Sequence, residues 1–141
     1  MVKGIVISLY DFTGEALRPW AEAGYTCYAF DIQHPKEGRV DQGICYQHAD
    51  LHNHETLNAI QDEFSDQPVV FGMAFPVCTD MAVSGAAWFK KKAEANPSFQ
   101  DEAVSYAMWC AKLFNSMHIP YFIENPVSVL ATKWRKPDYS F

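Results

Sequence analysis

Apolar residues in this chain fall in short unbroken runs, and the stretches between them space their apolar positions as helices do. Gly4 to Tyr10 reads GIVISLY, Thr26 to Phe30 is β-branched and aromatic, and Ile44 to His48 follows the same style. Val69 to Ala74 is apolar throughout between Pro68 and Pro76, and Tyr121 to Ile123 closes the series. Each run is predicted as a strand, and the continuous Val69 run as one buried on both faces. Helices are predicted over Glu15 to Ala23, over Asn53 to Phe64 and over Pro97 to Met117. Thr13 or Gly14 stands at the first N-cap with Gly24 just past the end; Asn53 or His54 caps the second, whose Leu57, Ile60 and Phe64 share a face. Ile32 to Gly43 turns polar with proline and glycine and reads as an exposed loop, and Met81 to Phe89 reads as a loop with a short helix.

Composition narrows the class. The 141 residues are 49% hydrophobic and 15% aromatic, enough for one domain with a real core, so residues 1–141 are expected to form a single domain. No apolar run approaches the ~20 residues of a membrane span, and Met1 to Ile5 lacks a signal-peptide layout, which predicts a cytoplasmic protein with no membrane partner. Cys27, Cys45, Cys78 and Cys110 show no CxxC spacing, so neither structural zinc nor a disulfide framework is indicated. A formal net charge of −6 argues against a basic footprint for duplex nucleic acid. The lysine cluster at Lys90 to Lys92 and the mixed one at Lys133 to Lys136 read as solvated faces.

Chemistry gathers where strands stop. The first strand ends in Asp11-Phe12-Thr13-Gly14, the second in Asp31, the third in Ala49-Asp50, and the last in Glu124-Asn125-Pro126. Strand, glycine turn, helix, strand, acid is the layout of a nucleotide-binding βαβ unit, whose terminal carboxylate accepts ribose hydroxyls. A dinucleotide fingerprint has three glycines, and only Gly14 is present, so a ligand without phosphates fits better. Cys78 follows the Val69 strand at the edge where open parallel sheets bind ligands. His48, His52 and His54 lie close in sequence, but no carboxylate stands with them at fixed helical spacing, so they read as loop histidines and no metal is expected.

The ordered set Asp11-Phe12-Thr13-Gly14, Asp31, Asp50, Phe75-Pro76-Val77-Cys78 and Glu124-Asn125-Pro126 resembles the first motifs of the cytosine-C5 DNA methyltransferases. FPVCTDMAVSGAAWF and IENPVSVLATKWRKPDYSF are, more narrowly, similar to short phage-encoded cytosine-methylase-like proteins, which places the expected cytoplasm in a host cell. The resemblance implies a Rossmann-like three-layer α/β sandwich, mostly parallel, with strand order 3-2-1-4-5. It implies S-adenosylmethionine as cofactor, held by Asp11, Phe12, Gly14, Asp31, Ile32, Asp50, Phe75 and Pro76. It further implies methyl transfer to carbon 5 of a cytosine ring in DNA or a nucleotide. Cys78 would then add as thiolate to carbon 6, Glu124 would hydrogen-bond the ring nitrogen and exocyclic amine, and Asn125 would orient the loop.

Departures from the family pattern fall at the nucleophile and beyond. Val77 stands where the family has proline, Thr79 where it has glutamine, and Pro126 where it has valine. The arginine-bearing motif, the target-recognition domain and the final motif have no counterpart here, so the cytosine is expected in a single strand or a free nucleotide, or with a partner chain supplying recognition. An S-adenosylmethionine-binding module without chemistry, or an interaction protein that self-associates through Trp88, Phe89, Trp109 and Trp134, is the alternative. At single positions the alternatives are a buried apolar thiol for Cys78, a helix-capping carboxylate for Glu124, an exposed loop acid for Asp31 and a helix cap for Asp50.

Overall fold

The computed structural model describes residues 3–76 and 99–124. Strands β1 (Ile5–Leu9), β2 (Thr26–Asp31), β3 (Arg39–Asp41), β4 (Ile44–His48), β5 (Val69–Ala74) and β6 (Tyr121–Ile123) form one sheet in the order β3-β4-β2-β1-β5-β6. All neighbouring pairs are parallel except β3 with β4. Helix α1 (Arg18–Glu22), led in by a single 3-10 turn at Glu15–Leu17, connects β1 to β2; α2 (His54–Glu63) connects β4 to β5; α3 (Phe99–Ser116) precedes β6.

Alternation along β1 divides the core in two. Ile5, Ile7 and Leu9 face α2 and α3 and pack with Leu57, Ile60, Phe64, Cys110, Leu113 and Phe114. Val6 faces the other way and packs with Leu17, Cys27, Ala29, Ile44 and Met73, partly covered by Trp20 and Ala21 of α1. The result is a three-layer sandwich with β1 at its centre, all five of its residues buried. On the α3 side the close approach depends on Gly72, where a Cβ would meet two ring atoms of Phe114 at 2.5 Å. Asn53 caps α2 as its residue type predicts, its side chain accepting the Glu55 N–H at 2.9 Å.

Two expectations change. Ile32 to Gly43 is not merely an exposed loop: it contains β3, joined to β4 by Gln42 and Gly43, both at positive φ (51° and 83°). That is the backbone of a two-residue hairpin turn whose twist matches its strands. The parallel strands by themselves keep the expected 3-2-1-4-5 order, and β3 adds an antiparallel edge beyond them. Nor is β5 buried evenly, since Val69, Val70 and Phe71 are half-buried and only Gly72, Met73 and Ala74 are fully covered. Among the described residues β6 pairs with Gly72 to Ala74 alone, so the first half of β5 has no strand on its outer side.

Candidate functional site at the carboxyl edge

Five parallel strands deliver their carboxyl ends to one edge, and backbone hydrogen bonds continue the ladder past them. Asp11 N–H donates to the Phe30 carbonyl (3.1 Å), Ala49 N–H to Asp31 (3.1 Å), Phe75 N–H to Leu9 (3.0 Å) and Glu124 N–H to Ala74 (3.0 Å). Asp31, Asp11, Phe75 and Glu124 therefore stand side by side on successive strands, with Asp50 just past β4.

The turn after β1 is the most constrained part of this edge. Tyr10 leaves the strand at a left-handed φ of 58°, and Gly14 ends the turn at φ 74°. Asp11 is buried between them, and both of its carboxylate oxygens are used: Oδ2 accepts the Ser8 hydroxyl at 2.6 Å and Oδ1 accepts the Gly14 N–H at 2.7 Å. Gly14 is required twice over, since a Cβ there would also lie 2.5 Å from the Tyr46 hydroxyl oxygen. Phe12 projects from the turn, 50% exposed, and Ile32, just beyond β2, is 57% exposed. Two large apolar side chains left open beside a set of carboxylates make a surface suited to a flat, partly apolar ligand.

Asp31 differs from Asp11 in what it leaves unused. It is 9% exposed, and its Oδ1 accepts the Gln33 N–H at 2.8 Å. Its other oxygen has no hydrogen-bond partner among the described residues and is not sealed from solvent. An exposed loop acid is thus not what stands here: the carboxylate is mostly buried with one acceptor in reserve. Asp50 is exposed and accepts the His52 N–H at 3.2 Å, an Asx turn leading into the Asn53 cap. Glu124 is exposed at the end of β6, and Pro76 is buried. Cys78 and Asn125 lie outside the described residues, so the predicted catalytic set is represented here by Glu124 alone.

Residues outside the predicted site set hold the turn from behind. His34, in the segment read as loop, is buried, with Nε2 2.9 Å from the Asp11 carbonyl oxygen. His48, read as a loop histidine, is half-buried and places Nδ1 3.0 Å from the His34 carbonyl oxygen. Tyr46 donates its hydroxyl to the Thr13 carbonyl at 3.3 Å. The Arg39 guanidinium of β3 lies 4.0 Å from the Tyr46 ring centroid. His34 lies in a polar segment without a periodic signal, and Tyr46, though inside the predicted strand Ile44 to His48, shows nothing in sequence of its contact with the turn.

The described cysteines are poor nucleophiles. Burial pushes the Cys110 thiol up to about 12 and the Cys27 thiol up to about 11, and it raises that of Cys45 as well. Burial also drives the Tyr10 phenol upward; its hydroxyl donates to the Leu51 carbonyl at 3.3 Å. Among the described residues no three His, Cys, Asp or Glu side chains converge as a metal site, and no helix is long and apolar enough to cross a membrane.

No family model and no curated protein sequence matches this chain. Among solved structures, a short chain dehydrogenase family protein from Francisella tularensis subsp. tularensis SCHU S4 is similar at 12% identity with a TM-score of 0.58. The alignment covers 98% of this chain and 55% of that one. A UDP-glucose 4-epimerase is similar at 11% identity and a TM-score of 0.52, over 84% of this chain and 34% of that one. This chain therefore spans about half the length of the dehydrogenase-family protein and a third of the epimerase. At such identities the likeness establishes the architecture: a Rossmann-like α/β fold with a mostly parallel sheet.

Proposed function

We propose that the carboxyl edge holds S-adenosylmethionine and that the protein transfers a methyl group to carbon 5 of a cytosine ring in a nucleic acid or nucleotide. The observation that carries the cofactor half is Asp31, a mostly buried carboxylate with one oxygen committed to Gln33 and the other unpaired among the described residues. A carboxylate so placed at the end of the second parallel strand suits the hydroxyls of a ribose, with Phe12 and Ile32 offering apolar area for a base. The turn after β1 bears on the rest of the ligand. Where a glycine-rich loop would turn free N–H groups toward a pyrophosphate, Asp11 takes the Gly14 N–H with its own negative charge. A nucleoside with a neutral or cationic 5′ substituent is favoured there over a dinucleotide, and the sulfonium of S-adenosylmethionine is such a substituent.

The methyl-transfer half is supported by the resemblance in Phe75-Pro76-Val77-Cys78 and Glu124-Asn125-Pro126 and by the position of Glu124, one strand over from the end of β5. The cofactor, when bound, supplies an electrophilic methyl group. Cys78 would add through sulfur to carbon 6 of the ring, raising electron density at carbon 5; carbon 5 would take the methyl as the sulfonium becomes a neutral thioether, and loss of the carbon 5 proton to water would then expel the Cys78 thiolate. Glu124 would hold the ring through its nitrogen and amine, stabilising the charge that develops on addition. Because the chain is acidic, duplex DNA is not expected to bind unaided below micromolar concentration.

Titration calorimetry with S-adenosylmethionine, S-adenosylhomocysteine and NAD tests the cofactor assignment. Heat from the first two and none from NAD is expected; the absence of both heat and thermal shift at millimolar S-adenosylmethionine refutes it. Transfer of labelled methyl to a cytosine-bearing single strand, lost in Cys78→Ser, tests the reaction.

A further inference from the structure

His34 is buried to 3% exposure in a segment that is otherwise mostly exposed, and it touches the candidate site only from behind. A carbonyl oxygen can only accept, so the 2.9 Å contact to Asp11 fixes the proton on Nε2 of His34. The ring stacks on Phe12, centroids 5.5 Å apart and planes 22° apart, and meets Tyr46 edge-on at 5.1 Å. Its own carbonyl accepts from His48 in β4. The turn is thus gripped at two carbonyls, Asp11 by His34 and Thr13 by Tyr46, with the residue between them, Phe12, resting against the imidazole and half exposed.

We propose that His34 is a positioning residue: it sets the turn after β1, and with it the Phe12 ring, in the geometry that receives the ligand, without touching the ligand itself. For the nature of that ligand the inference rests on the nucleoside assignment above. Removing the imidazole would orphan a buried carbonyl and leave Phe12 without its backing, so the turn would have to be ordered by the ligand at the moment of binding. Glutamine can return an N–H to the place of Nε2; leucine cannot.

The test uses the full chain labelled with 15N, with two readouts. In the ligand-free protein, His34→Leu should displace the amide resonances of Phe12, Thr13 and Gly14, and His34→Gln should displace them less. In calorimetry with S-adenosylhomocysteine, His34→Leu should bind about tenfold more weakly, the worth of roughly one buried hydrogen bond, and His34→Gln should recover most of the loss. Leu57→Ala, in the core beneath α2, should lower the melting temperature and leave affinity unchanged, a separation that a general loss of stability would not produce. Amides of the turn unmoved by His34→Leu, or an affinity equal to that of the wild type, overturns the proposal. If the wild type does not bind the nucleoside, the cofactor assignment falls and the amide resonances alone decide the role of His34. Should His34→Leu not fold, His34→Asn replaces it, since its shorter amide cannot reach the Asp11 carbonyl.

Discussion

Replacing Asp31 by asparagine isolates the charge that the cofactor assignment depends on. Asparagine keeps the size of the side chain and an oxygen for the Gln33 N–H, now bonded at 2.8 Å, so the loop after β2 retains its local acceptor. What is lost is an anionic acceptor for ribose hydroxyls, and hydrogen bonds to a charged group are worth about 1.5–3 kcal/mol where neutral ones are worth about 1. The difference predicts a loss of about 0.5–2 kcal/mol in binding, or roughly 2- to 30-fold in Kd. Asp31→Ala removes both oxygens, so it should weaken binding further and also lower stability by about 1 kcal/mol through the orphaned Gln33 N–H. Calorimetry with S-adenosylmethionine supplies the affinities and urea unfolding the stabilities. An Asp31→Asn variant that binds as tightly as the wild type would refute the reasoning, because it would show that the unused oxygen faces no ligand.

Gly72→Ala should destabilise the fold by about 1–3 kcal/mol, since the new Cβ would meet the buried Phe114 ring, and an unchanged urea midpoint would show that α3 can lift away. Stability should fall at alkaline pH: the folded state keeps the Cys110 and Cys27 thiols neutral up to about 12 and about 11, against an ordinary value of 9.0. That contribution is whole below the ordinary value and is lost as pH rises through the folded ones, so Cys110→Ala should flatten the alkaline slope, and a wild-type midpoint constant over that window refutes the assignment. In mass mapping after mild alkylation, Cys78 should be modified before Cys27, Cys45 and Cys110, all of which have raised thiols; finding it last would make it a buried apolar residue.

Much of the sheet was legible because its strands are short apolar runs punctuated by proline, glycine and acids. Ile44 to His48, Val69 to Ala74 and Tyr121 to Ile123 are strands over those same residues, and Asn53 caps its helix. What escaped was set by tertiary context. Arg39 to Asp41 holds a single apolar residue, Val40, too few to mark a strand, and all three are exposed; the strand forms because β4 offers a free side and Gln42 accepts a positive φ usually left to glycine or asparagine. Similarly, Val69 to Phe71 are half-buried and β6 pairs only with Gly72 to Ala74, neither of which can be read from the apolar run of β5 itself. At the site, the residue types at strand ends were visible, but not which oxygens were already spoken for. Asp11 and Asp31 look alike in sequence, and only the hydrogen bonds of Ser8, Gly14 and Gln33 show that one is closed and the other half open.

The backbone bonds that extend the ladder beyond the strands turn the carboxyl edge into a ruler. Asp31, Asp11, Phe75 and Glu124 are spaced by the pitch of the sheet, about 4.8 Å per strand, so a molecule that engages both Asp31 and Glu124 must reach across roughly 14 Å. Loops behind the edge can lengthen, shorten or change sequence without altering that span. Variation in this protein can therefore retune which groups meet a ligand at each mark, while the distance between the marks is inherited from the sheet and is not open to adjustment by any single substitution.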